Sequence, residues 1–261
     1  MSFLRHTCLA LLACVLCTAP AQSAPVQDPA AQLKSLLKAH PELLLDVLRE
    51  HSEELLDIVQ MGAEKRRSSV LRTQWEHDLE EPKKVDIVGR PVGGAADAEV
   101  TIVAYSDFLC SYCHQAAFTL GSLMKRYPGK IRMVFKQVPK ADTGREAGLW
   151  FLAAYKLDTV KAWKMYALTY DRQKEVEANV DASMRAIARE VGFDVKQVEE
   201  EMKKSRRSFD AIFEADAAEA QRLGFVGTPY FLVNDIVVRG ALSLENFSEA
   251  VDMALARKKK K

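Results

Sequence analysis

Cysteine is scarce in this chain of 261 residues, and three of its five cysteines, Cys8, Cys14 and Cys17, crowd into the extreme N-terminus. The other two are Cys110 and Cys113. With no second pair, a tetrahedral zinc site has only half of the four ligands it needs, so no metal is expected. An excess of either charge is missing too: 37 basic residues face 36 acidic ones. That balance argues against a polyanion such as nucleic acid as partner, and reads KRR at 65–67 and the final RKKKK as solvated ends. No apolar run of membrane-spanning length follows the first seventeen residues. What remains, 48% hydrophobic and 28% charged, suffices for one sizeable core plus an appendage rather than two full domains.

The N-terminus reads as a cleavable signal peptide over residues 1–21. Arg5 and His6 form a short basic start, TCLALLACVLC at 7–17 is apolar but too short to span a bilayer, and Ala19 and Ala21 supply the small-x-small cleavage pattern. LLAC at 11–14 offers an alternative, a lipid-acceptor site at Cys14. Export to the periplasm is therefore expected. Cleavage removes Arg5 and no acid, which leaves 36 residues of each sign, and it leaves Cys110 and Cys113 as the only thiols. Exported proteins use cysteines mostly to join distant segments, whereas this pair closes a tiny loop that adds little stability. Its meaning is then chemical. FLCSYCHQAA at 108–117 contains C-x-x-C-H, which serves either a reversible disulfide at a helix start or the attachment of a c-type haem. A copper-binding or chaperone module using the same thiols is a third reading.

Residues 22–81 form an N-terminal helical segment with helix starts at Asp28–Pro29 and Pro41. Two helical pieces are expected. In the second, Leu44, Leu48, Leu55 and Ile58 share one heptad-like seam with His51, opposite a charged face, and self-association into a dimer or trimer is the favoured use of that seam. Pro82 breaks the pattern, GRPVGG at 89–94 supplies turn chemistry, and a compact domain follows over 82–261. VTIVAY at 100–105 and IRMVF at 131–135 read as strands, parallel if the helix from Ser111 to about Arg126 is a right-handed crossover. A helix-rich insert without strand signal occupies about 143–205. A helix near 208–223, a hairpin of YFLV at 230–233 and IVVR at 236–239, and a last helix from about Ser243 to Ala256 complete the order.

That order, with YSDFLCSYC and GFVGTPYFLVND, resembles the DsbA-like family of exported thiol-disulfide oxidoreductases over roughly residues 85–257. The resemblance implies an α/β, thioredoxin-like fold with a large helical insertion. The helical segment in front is similar to the stalks of ScsC- and DsbC-type isomerases, which are oligomeric.

The resemblance implies the roles. Cys110, at a helix N-terminus where free N–H groups and the helix dipole favour a thiolate, attacks; Cys113, one turn in and more shielded, resolves. Ser111 and Tyr112 tune the pair without a cation, and Tyr112 equally reads as a surface ring that contacts substrate. Thr228 and Pro229 correspond to the family's cis-proline loop, where an extended client would pair with the Thr228 backbone as an added strand. The buried acid that many relatives carry six residues before the first cysteine is replaced by Ala104, while Asp107 and Lys136 read as capping or surface groups and His114 as a helix residue. The implied function is disulfide isomerase, oxidase or both, with no cofactor. Its partners would be unfolded or misoxidised exported proteins and a membrane redox protein of unknown identity.

Overall fold

The computed structural model describes residues 28–258. The expected signal peptide, with Cys8, Cys14 and Cys17, lies outside them. The chain divides into two compact units, Met1–Ala63 and Glu64–Lys261.

The first unit contains α1 (Pro29–Ala39), α2 (Pro41–Glu50) and the start of α3 (Ser52–Glu80). Asp28 caps α1 by accepting from the Ala30 N–H at 3.1 Å, and Pro29 and Pro41 occupy first-turn positions where a missing N–H costs nothing. Three helical pieces stand where two were expected, because α2 stops at His51. Glu53 and Glu54 favour the restart, placing acids at the positive end of α3. The Leu44–Leu48 and Leu55–Ile58 halves of the seam thus lie on two helices. No residue of α1 or α2 is buried, and Leu33, Val47 and Ile58 are 56%, 54% and 61% exposed.

The second unit opens with the C-terminal part of α3. Trp75 is fully buried and its Nε1 donates to the Val237 carbonyl at 3.1 Å, while Asp78 accepts from the Val237 N–H at 3.0 Å. The compact domain therefore begins at Glu64 and not at residue 82. After it come β1 (Val92–Gly94), β2 (Val100–Ser106), α4 (Ser111–Arg126), β3 (Ile131–Gln137), five helices α5 (Asp142–Leu157), α6 (Thr159–Asp171), α7 (Gln173–Ala178), α8 (Val180–Glu190) and α9 (Val195–Arg222), then β4 (Tyr230–Val233), β5 (Ile236–Arg239) and α10 (Leu244–Lys258).

The strands form one sheet in the order β1-β3-β2-β4-β5, with β2 and β3 parallel across the α4 crossover and the other pairs antiparallel. Strand alternation splits the core. Ile102 and Ala104 face α4, α10 and the insert, whereas Val103 and Tyr105 face Val134, Ala220 and Phe225. GRPVGG was expected as turn only, yet its VGG pairs with β3. A Cβ on Gly93 would stand 2.7 Å from the Trp163 ring, so glycine is there to admit that indole. The insert's expected end at 205 falls inside α9, which runs unbroken for 28 residues. No glycine or proline interrupts it, and its Ser205 is buried and bonded to Lys156 and Glu201.

Candidate active site

Strand β2 delivers the chain to the start of α4, where Cys110 is the N-cap residue in extended conformation and Cys113 lies buried in the first turn. Both are free thiols. Their environments push them apart. Hydrogen bonds from Cys113, and from the Cys113 and Tyr112 backbone N–H groups at the helix start, hold the Cys110 thiol down to about 5. Burial and the neighbouring Cys110 drive Cys113 far above its ordinary range. The half-buried Cys110 sulfur is thus favoured as the thiolate, and the buried Cys113 sulfur beneath it as the thiol.

The loop before α4 is held from several sides. Asp107 is buried, accepts from the Leu109 and Lys140 N–H groups at 3.0 and 3.1 Å, and closes against Gly144. It is neither a helix cap nor a surface group, the roles expected of it, but ties the two loops together. Gln173, at the start of α7, donates its amide to the Phe108 and Cys110 carbonyls at 2.6 and 3.0 Å. Nothing in the sequence marks Gln173, because an amide in a polar stretch reads as surface. Tyr170 on α6 was overlooked for the opposite reason, as another ring in an aromatic insert. Its hydroxyl lies 2.8 Å from Ser106 Oγ at the end of β2.

The loop between α9 and β4 brings Thr228 and Pro229 to the cysteines. The Thr228–Pro229 peptide is cis, and the Thr228 carbonyl oxygen lies 3.4 Å from Cys110 Sγ, placed to accept from it when Cys110 is protonated. Val226 on the same loop is 92% exposed and Tyr112, between the cysteines, is 62% exposed. Together they leave apolar surface at the site. Ser111, also exposed, borders a recess of about 510 Å³ with His114, Gln115, Arg172 and Gln173. The His114 ring packs on Phe118 at 4.9 Å between centroids.

Lys136 is not the capping or surface group expected. It is fully buried on the sheet face opposite Ala104, bonded to Glu219 and 3.4 Å from Asp216, which also receives Arg90 at 3.0 Å. Both acids belong to α9, so this ion cluster fastens to the sheet the helix that leads into the Thr228 loop.

Comparison with known proteins agrees with this fold. The family model described as Thioredoxin matches residues 86–253. Among solved structures, the thiol-disulfide exchange protein α-DsbA2 of Wolbachia pipientis is similar with a TM-score of 0.59 at 21% identity, covering 73% of this chain and 97% of its own. A thioredoxin-like oxidoreductase of Silicibacter pomeroyi is similar with a TM-score of 0.56 at 29% identity, covering 66% and 94%. A linker-deletion variant of Proteus mirabilis ScsC, which also carries a point substitution, is similar with a TM-score of 0.54 at 20% identity, covering 90% and 100%. Among curated sequences, a Na(+)/H(+) antiporter NhaA 3 of Salinispora tropica is 29% identical over 195 residues, which are 74% of this chain but 29% of the antiporter. The chain thus spans under a third of the curated relatives it matches, and none of its described helices is long and apolar enough to cross a membrane.

Proposed function

Because the chain belongs to the thioredoxin family, we propose that it is an exported, periplasmic thiol-disulfide oxidoreductase that works on folding proteins as an isomerase, an oxidase or both. The observation that carries the reading is the contrast between the two sulfurs, one held as an accessible thiolate and the other as a buried thiol. The Cys110 thiolate attacks a client disulfide. A mixed disulfide forms, and one client cysteine leaves as thiolate. Cys113 then attacks Cys110, the internal disulfide closes, and the second client cysteine leaves reduced; run backwards, the same steps oxidise a client dithiol. Thr228, with its carbonyl at Cys110, and the exposed Tyr112 form the client platform, Pro229 shapes it, and Ser111 and Tyr112 tune the pair. Unfolded or misoxidised exported proteins are the substrates, a membrane redox protein resets the pair, and the exposed apolar faces of α1 and α2 join copies into a dimer or trimer.

The roles are tested by trapping. Cys113→Ala should accumulate mixed disulfides with clients on non-reducing gels, and Cys110→Ala almost none. Equal trapping by both variants would reject the assignment.

A further inference from the structure

The proposed exchange leaves one problem. When Cys110 is tied up in a mixed disulfide it carries no charge, and the buried Cys113 must itself become a thiolate in an apolar setting. The position six residues before Cys110 is Ala104, and its register partner on β3 is Phe135. Neither holds a charge, and the Lys136–Asp216–Glu219 cluster lies on the other sheet face with Tyr105. The titratable groups around Cys113 are Cys110 on its own helix, Asp107 on the preceding loop, whose backbone N–H donates to the Cys113 sulfur, and Tyr166 and Tyr170 on α6.

Two hydroxyls fill this space. The Ser106 hydroxyl lies beside the Cys113 sulfur, and that sulfur beside Cys110. Ser106 Oγ and Tyr170 OH lie 2.8 Å apart, both buried. Tyr170 has one hydrogen to give. Its hydroxyl reaches the Asp107 carbonyl at 3.4 Å, and it and Ser106 can each donate to the other. With Tyr170 donating to Ser106, the serine hydrogen is free for sulfur, and donation can run from Tyr170 to Ser106 to Cys113 to Cys110.

We infer that Ser106 is a catalytic residue of the resolving step and Tyr170, on the helical insert, a positioning residue that orients it. In the reduced protein the end of this chain is the Cys110 thiolate. In the mixed disulfide it is Cys113, and the serine O–H donates to the sulfur as it loses its proton. Cys113 then bonds to Cys110, the bond from Cys110 to the client sulfur breaks, and the departing client thiolate ends with the proton that Cys113 gave up. The active-site pair is oxidised by two electrons and the client reduced by two.

This inference rests on the roles given above to Cys110 and Cys113, and one experiment separates the two claims. Reduced full-length protein mixed with dithiobis-nitrobenzoate should release coloured anion in two phases, the first from attack by Cys110 and the second from attack by Cys113. Ser106→Ala should slow the second phase about tenfold and move its pH profile up by about one unit, the loss expected for one hydrogen bond to a charged group. The first phase should stay within about twofold. Tyr170→Phe, which removes a single oxygen, should slow the second phase about threefold, and Ser106→Thr should restore it. A second phase of unchanged rate and pH profile in both Ser106→Ala and Tyr170→Phe would overturn the inference while leaving the Cys110 and Cys113 roles intact. A first phase lost in Cys113→Ala but kept in Cys110→Ala would overturn those roles, and this inference with them.

Discussion

Cys110 owes its charge to geometry: it sits where α4 leaves backbone N–H groups unpaired, with a thiol beneath it as a further donor. A thiol whose pKa is lowered on folding stabilises the reduced fold fully above its unfolded pKa of about 8.5 and loses that contribution as pH falls. The folded value of about 5 closes the window. The reduced protein should therefore gain thermal stability over the oxidised form from about pH 5 up to about pH 8.5, since the disulfide has no proton to lose. Melting temperatures of both forms across that range measure it, and parallel curves would refute it. Alkylation of Cys110 by iodoacetamide should likewise fall away only below about pH 5.

Among the elements, α3 carries an assignment that its composition conceals. Its charged C-terminal stretch looks like a solvated stalk, yet Trp75 and Asp78 within it are buried and bonded to β5. Trp75→Ala should cost about 3–5 kcal/mol in urea unfolding, the usual range for deleting a buried aromatic. A chain starting at residue 64 should fold, whereas one starting at residue 82 should lose cooperative unfolding. A cooperative transition in the shorter chain would show that α3 is dispensable. Strands with strong β-branched runs, β2, β3, β4 and β5, could be read directly from sequence, as could the cysteine pair at the strand-to-helix junction. Features set by distant partners could not. VGG at 92–94 has the composition of a turn and becomes a strand only because β3 offers its edge and Trp163 covers Gly93. Lys136 reads as surface until α9 brings Asp216 and Glu219 to it. Gln173 and Tyr170 reach the cysteines from the insert, some sixty residues away in sequence.

For the whole molecule, the first unit presents more apolar surface than a stable monomeric segment of its size would. Leu33, Leu36, Leu43, Leu44, Leu45, Val47, Leu56, Ile58, Val59 and Met61 are all exposed, and burying such side chains is worth about 1.5–3 kcal/mol each. We expect the mature protein to scatter light as a dimer or trimer, and a version lacking residues 22–63 as a monomer. That monomer should still oxidise dithiols but lose most refolding of scrambled ribonuclease, because isomerisation needs a thiolate held near a retained client and copies supply that effective concentration. A monomeric full-length protein, or equal isomerase rates for the two versions, would remove the link between assembly and activity.

The bonds from Trp75 and Asp78 to Val237 have a consequence for a protein that would spend its working life among unfolded chains. An outermost strand with bare N–H and C=O groups is a template on which extended polypeptide adds, and such addition leads to co-aggregation. In β5 the outward donor and acceptor of Val237 are already taken by an indole and a carboxylate, and at the other end of the sheet β1 is only three residues long. The fold is thereby guarded against extended polypeptide adding to either end of its sheet.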